Sequence, residues 1–533
     1  MGVGACSRSP ASSVSSGGRT RSVAEDTLVA SLLSRLSRAE RRRDEIAGLV
    51  DDAYDYVLPL RERLQSRRDP RAAMGRVFDG TAIASLQNTA SRLLFELAPP
   101  TEPWFELRAG PDVPEEEKDE VDRRLKEVTD EIRRVISNSD FYTQAHEALL
   151  DSLVSVGLLR IDIGDAVRPV RFRAIPMARV VPDVGPFGTL DAYFFRHRPR
   201  AGQITTIWPR ASLTEALAEK ASRKPDEEVE IVEAIWRDWS VRGTETWRWL
   251  LLEPKEKRRL DQSAFEGHGA APVIGFRWSA APDEAYGHGP VLMALPDIRT
   301  LNLTKQLVLE NADLAVSGAW QAEDDGTVNF DTVQIIPGTV IRVAPGSSGL
   351  KPLETPGRFD VAQLVIEDLR AQIKATLLDD DLGPPEGTPM SATEVMQRKA
   401  DQAERVAAPL GRYLKEFLFP VVHRVAHVLR QVGRIELPPI DGRLVALRPL
   451  SPLARAQAQE EILRHDRWVE MMNLRFGPQQ TALALKVDEY GAWLARHMGV
   501  DPRLVRDAAE RRQITEAIAA MAADQGQQAQ EGP

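Results

Sequence analysis

The chain of 533 residues has few of the features that mark secreted, membrane-spanning or disulfide-bonded proteins. Its only cysteine is Cys6, which excludes a disulfide framework within one chain and favours assembly in a reducing, intracellular compartment. The first residues lack the continuous apolar segment of a secretory signal. No uninterrupted apolar run approaches the roughly 20 residues of a membrane helix, so we expect a soluble protein without a membrane partner.

A basic surplus is also missing. The chain has 69 Lys and Arg residues against 79 Asp and Glu residues, and its formal net charge is -10. Proteins that hold DNA tightly through phosphate contacts usually carry an excess of cations. The acidic balance argues against a conventional DNA-binding domain. It is compatible with a passage in which DNA slides without adhering, and equally with an acidic protein that has no role with nucleic acids.

Recognisable catalytic motifs are absent as well. The sequence contains no Gly-rich phosphate-binding loop, so an ATP-driven motor is not expected. His423 and His427 are four residues apart, but Arg424 stands where a zinc protease has glutamate, and no third ligand is evident. We interpret both histidines as packing residues of a helix. The sequence therefore predicts no catalytic residue, no metal and no cofactor.

Spacing of apolar residues indicates an α+β protein that is mainly α-helical. Leu28, Leu32 and Leu36 repeat at helical spacing within a predicted helix from Ala24 to about Leu64. Between Val156 and Trp278 the pattern alternates with a period of two, which predicts an antiparallel sheet decorated by helices. Helical spacing returns after the segment Gly287–Pro290, here called the Gly/Pro joint.

The second half of the chain predicts two helices on either side of a small insert. The insert, residues 319–360, has strand-like segments at 333–336 and 339–343. In the second helix a stripe of apolar residues falls every fourth position: Val361, Val365, Leu369, Ile373 and Leu377. A loop rich in proline and glycine follows and ends at a capping box formed by Ser391 and Glu394. The next helix should be kinked at Pro409 and Pro420.

The acidic triplet Asp379, Asp380 and Asp381 opens that loop. It does not follow the alternating ligand spacing of a calcium loop. One interpretation is a solvated turn at a helix end. The other is a loop that projects into a channel and repels phosphates.

Several short motifs, in a fixed order, resemble one known family. They are FDGTA at 78–82, LAPPTEPWFEL at 97–107, FRW at 276–278, YGHGP at 286–290, LPDI at 295–298, LN at 301–302, SATEV at 391–395 and SPLARAQ at 451–457. Together the series resembles the head-to-tail connector, or portal, proteins of podovirus-type bacteriophages. The resemblance spans roughly residues 40–520 and does not extend to the Ser/Gly/Arg-rich start or the insert.

The resemblance implies a portal plan for the chain. Its expected parts are a disordered segment at 1–24, a wing at 25–290, a first stem helix at 291–318, a clip at 319–360, a second stem helix at 361–378, a tunnel loop at 379–390, a long kinked helix with wing return at 391–450, a helical crown at 451–522 and a disordered tail at 523–533. The two stem helices should run alongside each other, and an apolar stripe on a stem helix should pack on the neighbouring subunit.

The resemblance also implies function, partners and location. Such proteins form dodecameric rings at a capsid vertex and guide double-stranded DNA, independently of its sequence, during packaging and ejection. The terminase large subunit, major capsid and scaffolding proteins, and tail adaptor proteins are the implied partners. The resemblance also implies that the ring assembles in the host cytoplasm and becomes part of the virion.

Three sets of residues are the candidate sites under this resemblance. The tunnel loop would present Asp379, Asp380, Asp381 and Glu386 to the channel. Transient phosphate contacts would come from Lys305, Lys351, Arg370 and Lys374, although ordinary salt bridges are an alternative for each of them. The hinge between wing and stem would be Gly287, His288, Gly289 and Pro290.

Two other functions remain open at this point. One is a structural tail adaptor or capsid component without a channel. The other is a magnesium-dependent nucleic-acid hydrolase that would use the acidic triplet with Asp360 or Glu386.

Overall fold

The computed structural model describes residues 17–65, 72, 74–317, 320–321, 351–352, 359–379, 409–438, 440–450, 452–486, 490–491 and 493–495, with the isolated positions 506, 510 and 514. Within these residues the chain combines long helices with antiparallel sheets. The prediction of a mixed α and β protein is confirmed. No helix among the described residues is long and apolar enough to cross a membrane.

The helices lie at both ends of the chain and flank a central region of strands. They are α1 (Gly17–Val57), α2 (Thr81–Leu97), α3 (Glu115–Ser137), α4 (Phe141–Val154), α5 (Ile204–Ile207), α6 (Glu215–Arg223), α7 (Pro290–Ser317), α8 (Phe359–Thr376), α9 (Phe419–Gln431), α10 (Pro452–Phe476) and α11 (Pro478–Ala484). Short 3-10 turns cover Met177–Arg179 and Ala201–Gln203, and a π-helical turn covers Leu414–Leu418.

Among the residues that the structure describes, every strand pairs in antiparallel fashion. They are β1 (Phe105–Ala109), β2 (Val156–Ile163), β3 (Val170–Ala174), β4 (Val180–Val184), β5 (Leu190–His197), β6 (Ile231–Arg237), β7 (Thr246–Glu253), β8 (Arg258–Glu266), β9 (Val273–Arg277), β10 (Trp320–Gln321), β11 (Lys351–Pro352) and β12 (Val445–Pro449). They form a five-stranded sheet in the order β4-β5-β6-β7-β8, a three-stranded sheet β3-β2-β9, and the pairs β1-β12 and β10-β11. The antiparallel sheet expected between Val156 and Trp278 is confirmed.

The chain divides into two compact units. The sheet unit contains residues 1–48, 90–289 and 386–533, and the stem unit contains residues 49–89 and 290–385. The border after Gly289 lies one residue before the expected border between wing and stem, and the assignment of these parts stays a prediction. Residues 49–89, which the sequence places in the wing, belong instead to the compact unit of the two stem helices.

In the sheet unit the five-stranded sheet buries apolar side chains on both faces. Leu32 and Leu36 of α1 pack with Phe194 and Ala234 from the central strands, which gives the predicted leucine repeat its role. A second cluster, which includes Ile204 and Leu217, forms where the short helices α5 and α6 cover Ile231 and Leu251. The sheet is therefore buried on both sides, which accounts for its continuous apolar strands.

An aromatic core joins the three-stranded sheet of this unit to the π-helical turn. Phe141 lies 5.2 Å from Phe172 and 6.3 Å from Phe417 between ring centroids, and Phe276 lies 4.5 Å from Phe417. The π-helical turn ends directly before α9, which has Pro420 in its first turn. A π-helical turn thus lies directly before the position of the expected kink at Pro420, where proline cannot donate a backbone hydrogen bond within a helix. Bending at Pro420 stays a prediction.

In the stem unit α7 contacts α8. The prediction that these two segments run alongside each other is confirmed. The ends of the insert between them pair as β10 and β11, with Trp320 opposite Pro352. The strand-like segments at 333–336 and 339–343 lie outside the described residues, as do the capping box at Ser391 and the expected kink region before residue 409.

Two expectations for the helices need correction. The helix α1 begins at Gly17, so residues 17–24, expected to be disordered, are helical. The apolar repeat starts only at Leu28 and could not indicate this earlier turn. In α8 and directly after it the buried positions are Ile366, Leu369, Ile373 and Leu377, whereas Val365 of the expected stripe is exposed. A strict four-residue repeat drifts around a helix of 3.6 residues per turn, so its early member leaves the buried face.

Candidate functional site

The stem unit is built around a buried carboxylate. Asp79 lies just before α2 and is 4% exposed. Its Oδ2 accepts hydrogen bonds from Lys305 Nζ on α7 at 3.2 Å and from Arg370 on α8, at 2.6 Å from Nη2 and 3.1 Å from Nε. One carboxylate oxygen thus connects both stem helices to the segment that begins α2.

The backbone around Asp79 is held by Asn302. The side-chain oxygen of Asn302 accepts from the backbone N–H of Phe78 at 2.8 Å and of Asp79 at 3.1 Å. Its Nδ2 donates to the carbonyl oxygen of Ile298 at 2.8 Å. We call Asp79, Asn302, Lys305 and Arg370 the Asp79 junction. The motifs FDGTA and LN, far apart in the sequence, meet here.

The electrostatics of the junction favour an ionised Asp79. Burial alone would raise the pKa of this carboxyl group. The hydrogen bonds from Thr81 and Arg370, with a further one from Lys305, outweigh burial and lower the pKa to about 2. The Oδ1 atom also accepts from the backbone N–H of Thr81 at 2.9 Å, which satisfies a donor at the start of α2.

A second set of contacts lies at the end of α8. The hydroxyl group of Thr89 on α2 donates to the carbonyl oxygen of Leu377 at 2.6 Å, and Asn88 Nδ2 donates to Asp379 at 3.3 Å. Leu378 adopts a left-handed φ of 61°, and the N–H of Asp379 bonds to the carbonyl oxygen of Lys374 at 2.8 Å. This arrangement is a typical helix end, so the expected tunnel loop starts where the helix stops.

The structure gives different surroundings to the four cations predicted to contact phosphates. Lys305 and Arg370 form intrachain salt bridges with Asp79, which is the alternative considered for them. Lys374, half-buried near the end of α8, forms no ion pair with any residue in the described part of the chain. Lys351 lies in β11, and its side chain is outside the described part. Phosphate contact by these residues stays a prediction.

The expected tunnel loop is described only at its first residue. Asp379 is half-buried and bonded to Asn88. Asp380, Asp381 and Glu386 lie outside the described residues. A role of this loop in a channel stays a prediction.

The Gly/Pro joint is tightly packed on the sheet unit. A Cβ atom on Gly289 would lie 1.9 Å from the carbonyl oxygen of Leu153, and one on Gly287 would lie 2.5 Å from that of Ser155. The N–H of His288 donates to the carbonyl oxygen of Ser279 at 2.7 Å. Glycine is required at these positions because the backbones approach closely. Bending at the joint stays a prediction.

Apolar side chains that are exposed in one chain lie on both stem helices. Leu303 on α7 is 57% exposed and Leu364 on α8 is 70% exposed. Further exposed members are Met293, Leu307, Leu309 and Val365. Leu369, Ile373 and Leu377, in contrast, are buried within the chain. A cluster of exposed leucines on two neighbouring helices is typical of a surface that another protein covers.

The described residues contain no recognisable arrangement of catalytic side chains. No group of three or more His, Cys, Asp or Glu side chains among them is placed to hold a metal. His423 lies in α9 with its ring 4.4 Å from that of His268, and burial lowers the pKa of His423 to about 4. His427, one turn later, is buried, and burial lowers its pKa to about 4 as well. His423 is half-buried and His427 is buried in α9, and their interpretation as packing residues stays a prediction.

Two polar contacts between distant segments were not evident from the sequence. Asp79 and Asn302 were part of quoted motifs but were not expected to meet. Arg277 of the FRW motif is buried and donates to Glu416 in the π-helical turn, at 2.8 Å from Nη2. The sequence did contain one indication of this contact. Arg277 is a charged residue at the end of an otherwise apolar strand, and a buried arginine needs a partner.

Comparison with known proteins decides the family. The family model described as bacteriophage head to tail connecting protein matches residues 29–505. The chain belongs to this family. It is also similar to the probable portal protein of Bordetella phage BPP-1, with 24% identity over 512 residues that cover 91% of this chain and 90% of that relative.

Two solved structures are also similar to this chain. The neck of an empty GTA particle, computed with C6 symmetry, has 16% identity and a TM-score of 0.34, and the match covers 82% of this chain and 95% of that one. The neck of a native GTA particle, computed with C12 symmetry, has 14% identity and a TM-score of 0.33, with coverages of 79% and 94%.

The prediction of a head-to-tail connector is confirmed by the family match. All eight motifs lie inside the matched residues. The family description names a part that connects the head and tail of a phage particle. It gives no support to the magnesium-dependent hydrolase that the sequence left open.

Proposed function

We propose that this family member is a portal subunit that forms a dodecameric ring at a capsid vertex. The observation that carries the proposal is the exposure of leucines on α7 and α8, the two helices joined at the Asp79 junction. Burying a leucine side chain contributes about 2 kcal/mol. A single chain leaves Leu303 and Leu364 mostly in water, and neighbouring copies of the stem would cover them.

The Asp79 junction supports the stem as a rigid strut. A ring that guides DNA must keep its wall in place while the polymer moves through it. Salt bridges from both helices to one buried carboxylate oppose sliding of α7 along α8, because any shift would leave a buried charge without its partner.

The ring would act as a passive conduit. Double-stranded DNA would pass during packaging and ejection, with contacts to phosphates that are few and independent of sequence. A net charge of -10 per chain agrees with a lining that does not hold DNA. Terminase would dock first and tail adaptor proteins later, while the major capsid and scaffolding proteins would surround the ring in the virion.

Imaging of the assembled particle tests this function. The purified full chain is examined by native mass measurement and by electron cryomicroscopy without imposed symmetry. The expected result is a twelve-fold ring with an axial channel lined by the stem unit. A stable monomer would contradict the proposal. A ring without an axial opening would indicate a tail adaptor or capsid component in place of a portal.

A further inference from the structure

The sheet unit contains a cleft of about 760 Å³ that the connector function does not use. Strands β2, β5, β7 and β8 contribute to its walls, together with the segment that follows β5. Arg424 from α9 closes one side. All of these elements belong to one compact unit.

The charge of the cleft is opposite to that of the chain. Five arginines and three carboxylates line it, so cations are in excess although the chain as a whole has a net charge of -10. The arginines are Arg160, Arg173, Arg198, Arg210 and Arg424. Such a local excess of cations attracts an anionic ligand.

The central carboxylate of the cleft is already bonded. Glu233 accepts from Arg160 Nη1 at 2.9 Å, from His197 Nε2 at 2.9 Å and from Trp249 Nε1 at 2.7 Å. Burial would raise the pKa of Glu233, but these bonds hold it at about 2. Asp162 accepts from Arg160 as well, at 3.0 Å. Two of the three carboxylates of the cleft, Asp162 and Glu233, are thus already paired with Arg160, and Glu233 also with His197.

The other arginines are left without comparable partners. Arg173 and Arg198 are exposed and form no ion pair with any residue that the structure describes. The guanidinium group of Arg210 is 4.0 Å from Asp261, and its side chain is 79% exposed. Three cations at the rim are therefore available to a ligand.

Of the five arginines, Arg424 gives the strongest indication of an anionic ligand. It is 3% exposed, and its hydrogen bonds go to the carbonyl oxygens of Ile161 at 3.2 Å and Ala270 at 2.9 Å. It forms no salt bridge with any carboxylate in the described ranges, and burial lowers its pKa to about 10. A buried charge whose hydrogen bonds go only to carbonyl groups is costly, so an anion at the cleft would stabilise it.

The remaining lining is apolar and flat. Trp208 and Trp249 are half-buried, and Pro199 and Pro209 lie beside them. Ile207, 51% exposed, adds an aliphatic surface. Indole and proline rings beside cations suit a ligand that offers carboxylates and apolar side chains within a few residues.

We propose that this cleft binds an acidic peptide segment of a partner protein. Carboxylates of the segment contact Arg173, Arg198 and Arg424, and an apolar side chain or proline packs on Trp208. A nucleic-acid backbone suits the cleft less well, because its phosphates and sugars would leave the apolar surface of Ile207, Trp208 and Pro209 uncovered. The inference does not depend on the ring proposed above, since every residue that it uses lies in the sheet unit.

Binding of a defined probe tests the proposal. A fluorescein-labelled peptide Glu-Glu-Pro-Leu-Glu-Glu is titrated with the full-length protein and followed by fluorescence anisotropy. We compare the wild type, Arg173→Glu/Arg198→Glu, and the control Arg242→Glu/Arg258→Glu. The control reverses two exposed arginines outside the cleft lining and changes the net charge by the same amount.

The expected result is binding to the wild type and the control, and at least about a tenfold loss of affinity in the cleft variant, equivalent to about 1.4 kcal/mol. Equal weakening in both variants would show non-specific attraction and overturn the assignment, as would absence of binding to the wild type. A labelled DNA duplex runs in parallel. Tighter binding of that duplex, with the same dependence on Arg173 and Arg198, would assign the cleft to nucleic acid and overturn the peptide. Equal thermal unfolding temperatures of the two variants ensure that both are folded.

Discussion

Arg370 on α8 donates two hydrogen bonds to the same carboxylate oxygen of Asp79, at 2.6 and 3.1 Å. The two residues are 291 positions apart in the chain. Lys305 on α7 reaches that oxygen from the other helix. Lys305 and Arg370, two of the four cations expected to contact DNA phosphates, pair with Asp79 within the stem unit, so the junction links stability of the stem to a single acidic side chain.

Removal of this carboxylate should destabilise the stem unit. Asp79→Ala leaves Lys305 and Arg370 without their shared anion and removes the bond to the N–H of Thr81. Because both cations are about one-third exposed, we expect a loss of about 2–3 kcal/mol, less than for a fully buried ion pair. Urea unfolding followed by circular dichroism measures the change.

The matched control is Asp112→Ala. Asp112 pairs with Arg443, and both side chains are largely exposed. Surface ion pairs contribute about 0–1 kcal/mol, so this variant should unfold close to the wild type. Equal losses in the two variants would mean that the Asp79 junction is no more important than a surface salt bridge.

The junction should also make stability depend on pH. The pKa of Asp79 is about 2 in the folded chain, against an ordinary value of 3.8. The stabilisation is therefore complete above about pH 5 and is lost as the pH falls through 4 toward 2, because the unfolded chain takes up the proton first. The difference in unfolding free energy between wild type and Asp79→Asn should be constant from pH 7 to 5 and shrink below pH 4. A difference that grows on acidification would have the wrong sign.

The sequence was sufficient for elements whose evidence is local. The leucine repeat predicted α1, alternating residues predicted β2, β3, β5, β6 and β7, and apolar spacing predicted the two stem helices. Local patterns could not predict the Asp79 junction, because the hydrogen bonds between residues 79, 302 and 370 depend on how distant segments pack. Val365 shows that a regular spacing can also mislead. Its place in the four-residue repeat predicted a buried side chain, but the side chain is exposed.

Acid should affect the sheet unit through α9. His427 is buried, and burial, with Arg424 and Arg430 nearby, lowers its pKa to about 4 from an ordinary 6.5. The folded chain keeps the ring neutral while the unfolded chain takes up a proton, so stability should fall between pH 6.5 and 4. His427→Gln should remove about 1–2 kcal/mol of that pH-dependent loss. Unfolding free energies at pH 7, 5.5 and 4.5 measure it. His465→Gln in α10 is the control, and an identical pH profile for the two variants would contradict the assignment.

The Gly/Pro joint should not tolerate a side chain. In Gly289→Ala the new Cβ would lie 1.9 Å from the carbonyl oxygen of Leu153, and neither backbone can move without breaking contacts. We expect a loss of more than about 3 kcal/mol, seen as a low soluble yield and a lower unfolding temperature. Gly411→Ala is the control, because a Cβ at that helical position meets no atom within 4 Å. Alanine there should be neutral or stabilise by up to about 1 kcal/mol. A stable Gly289→Ala would show that the joint can open at little cost, as a hinge would.

The exposed leucines of the stem should control assembly more than folding. In Leu303→Asp/Leu364→Asp, two apolar side chains that are 57% and 70% exposed in one chain become charged. Folding of the subunit should change little, since neither residue is buried within it. Assembly should fail, because every interface in a ring would lose about 4 kcal/mol of apolar burial and would bury charges instead. Sedimentation velocity and native mass measurement give the oligomeric state, and circular dichroism monitors the fold.

The control is Val167→Asp, at a side chain that is 85% exposed in the turn between β2 and β3. It adds charge outside the stem and should assemble normally. If the double variant still forms complete rings, the stem leucines lie outside the subunit interface and the proposed role of α7 and α8 in ring closure is wrong.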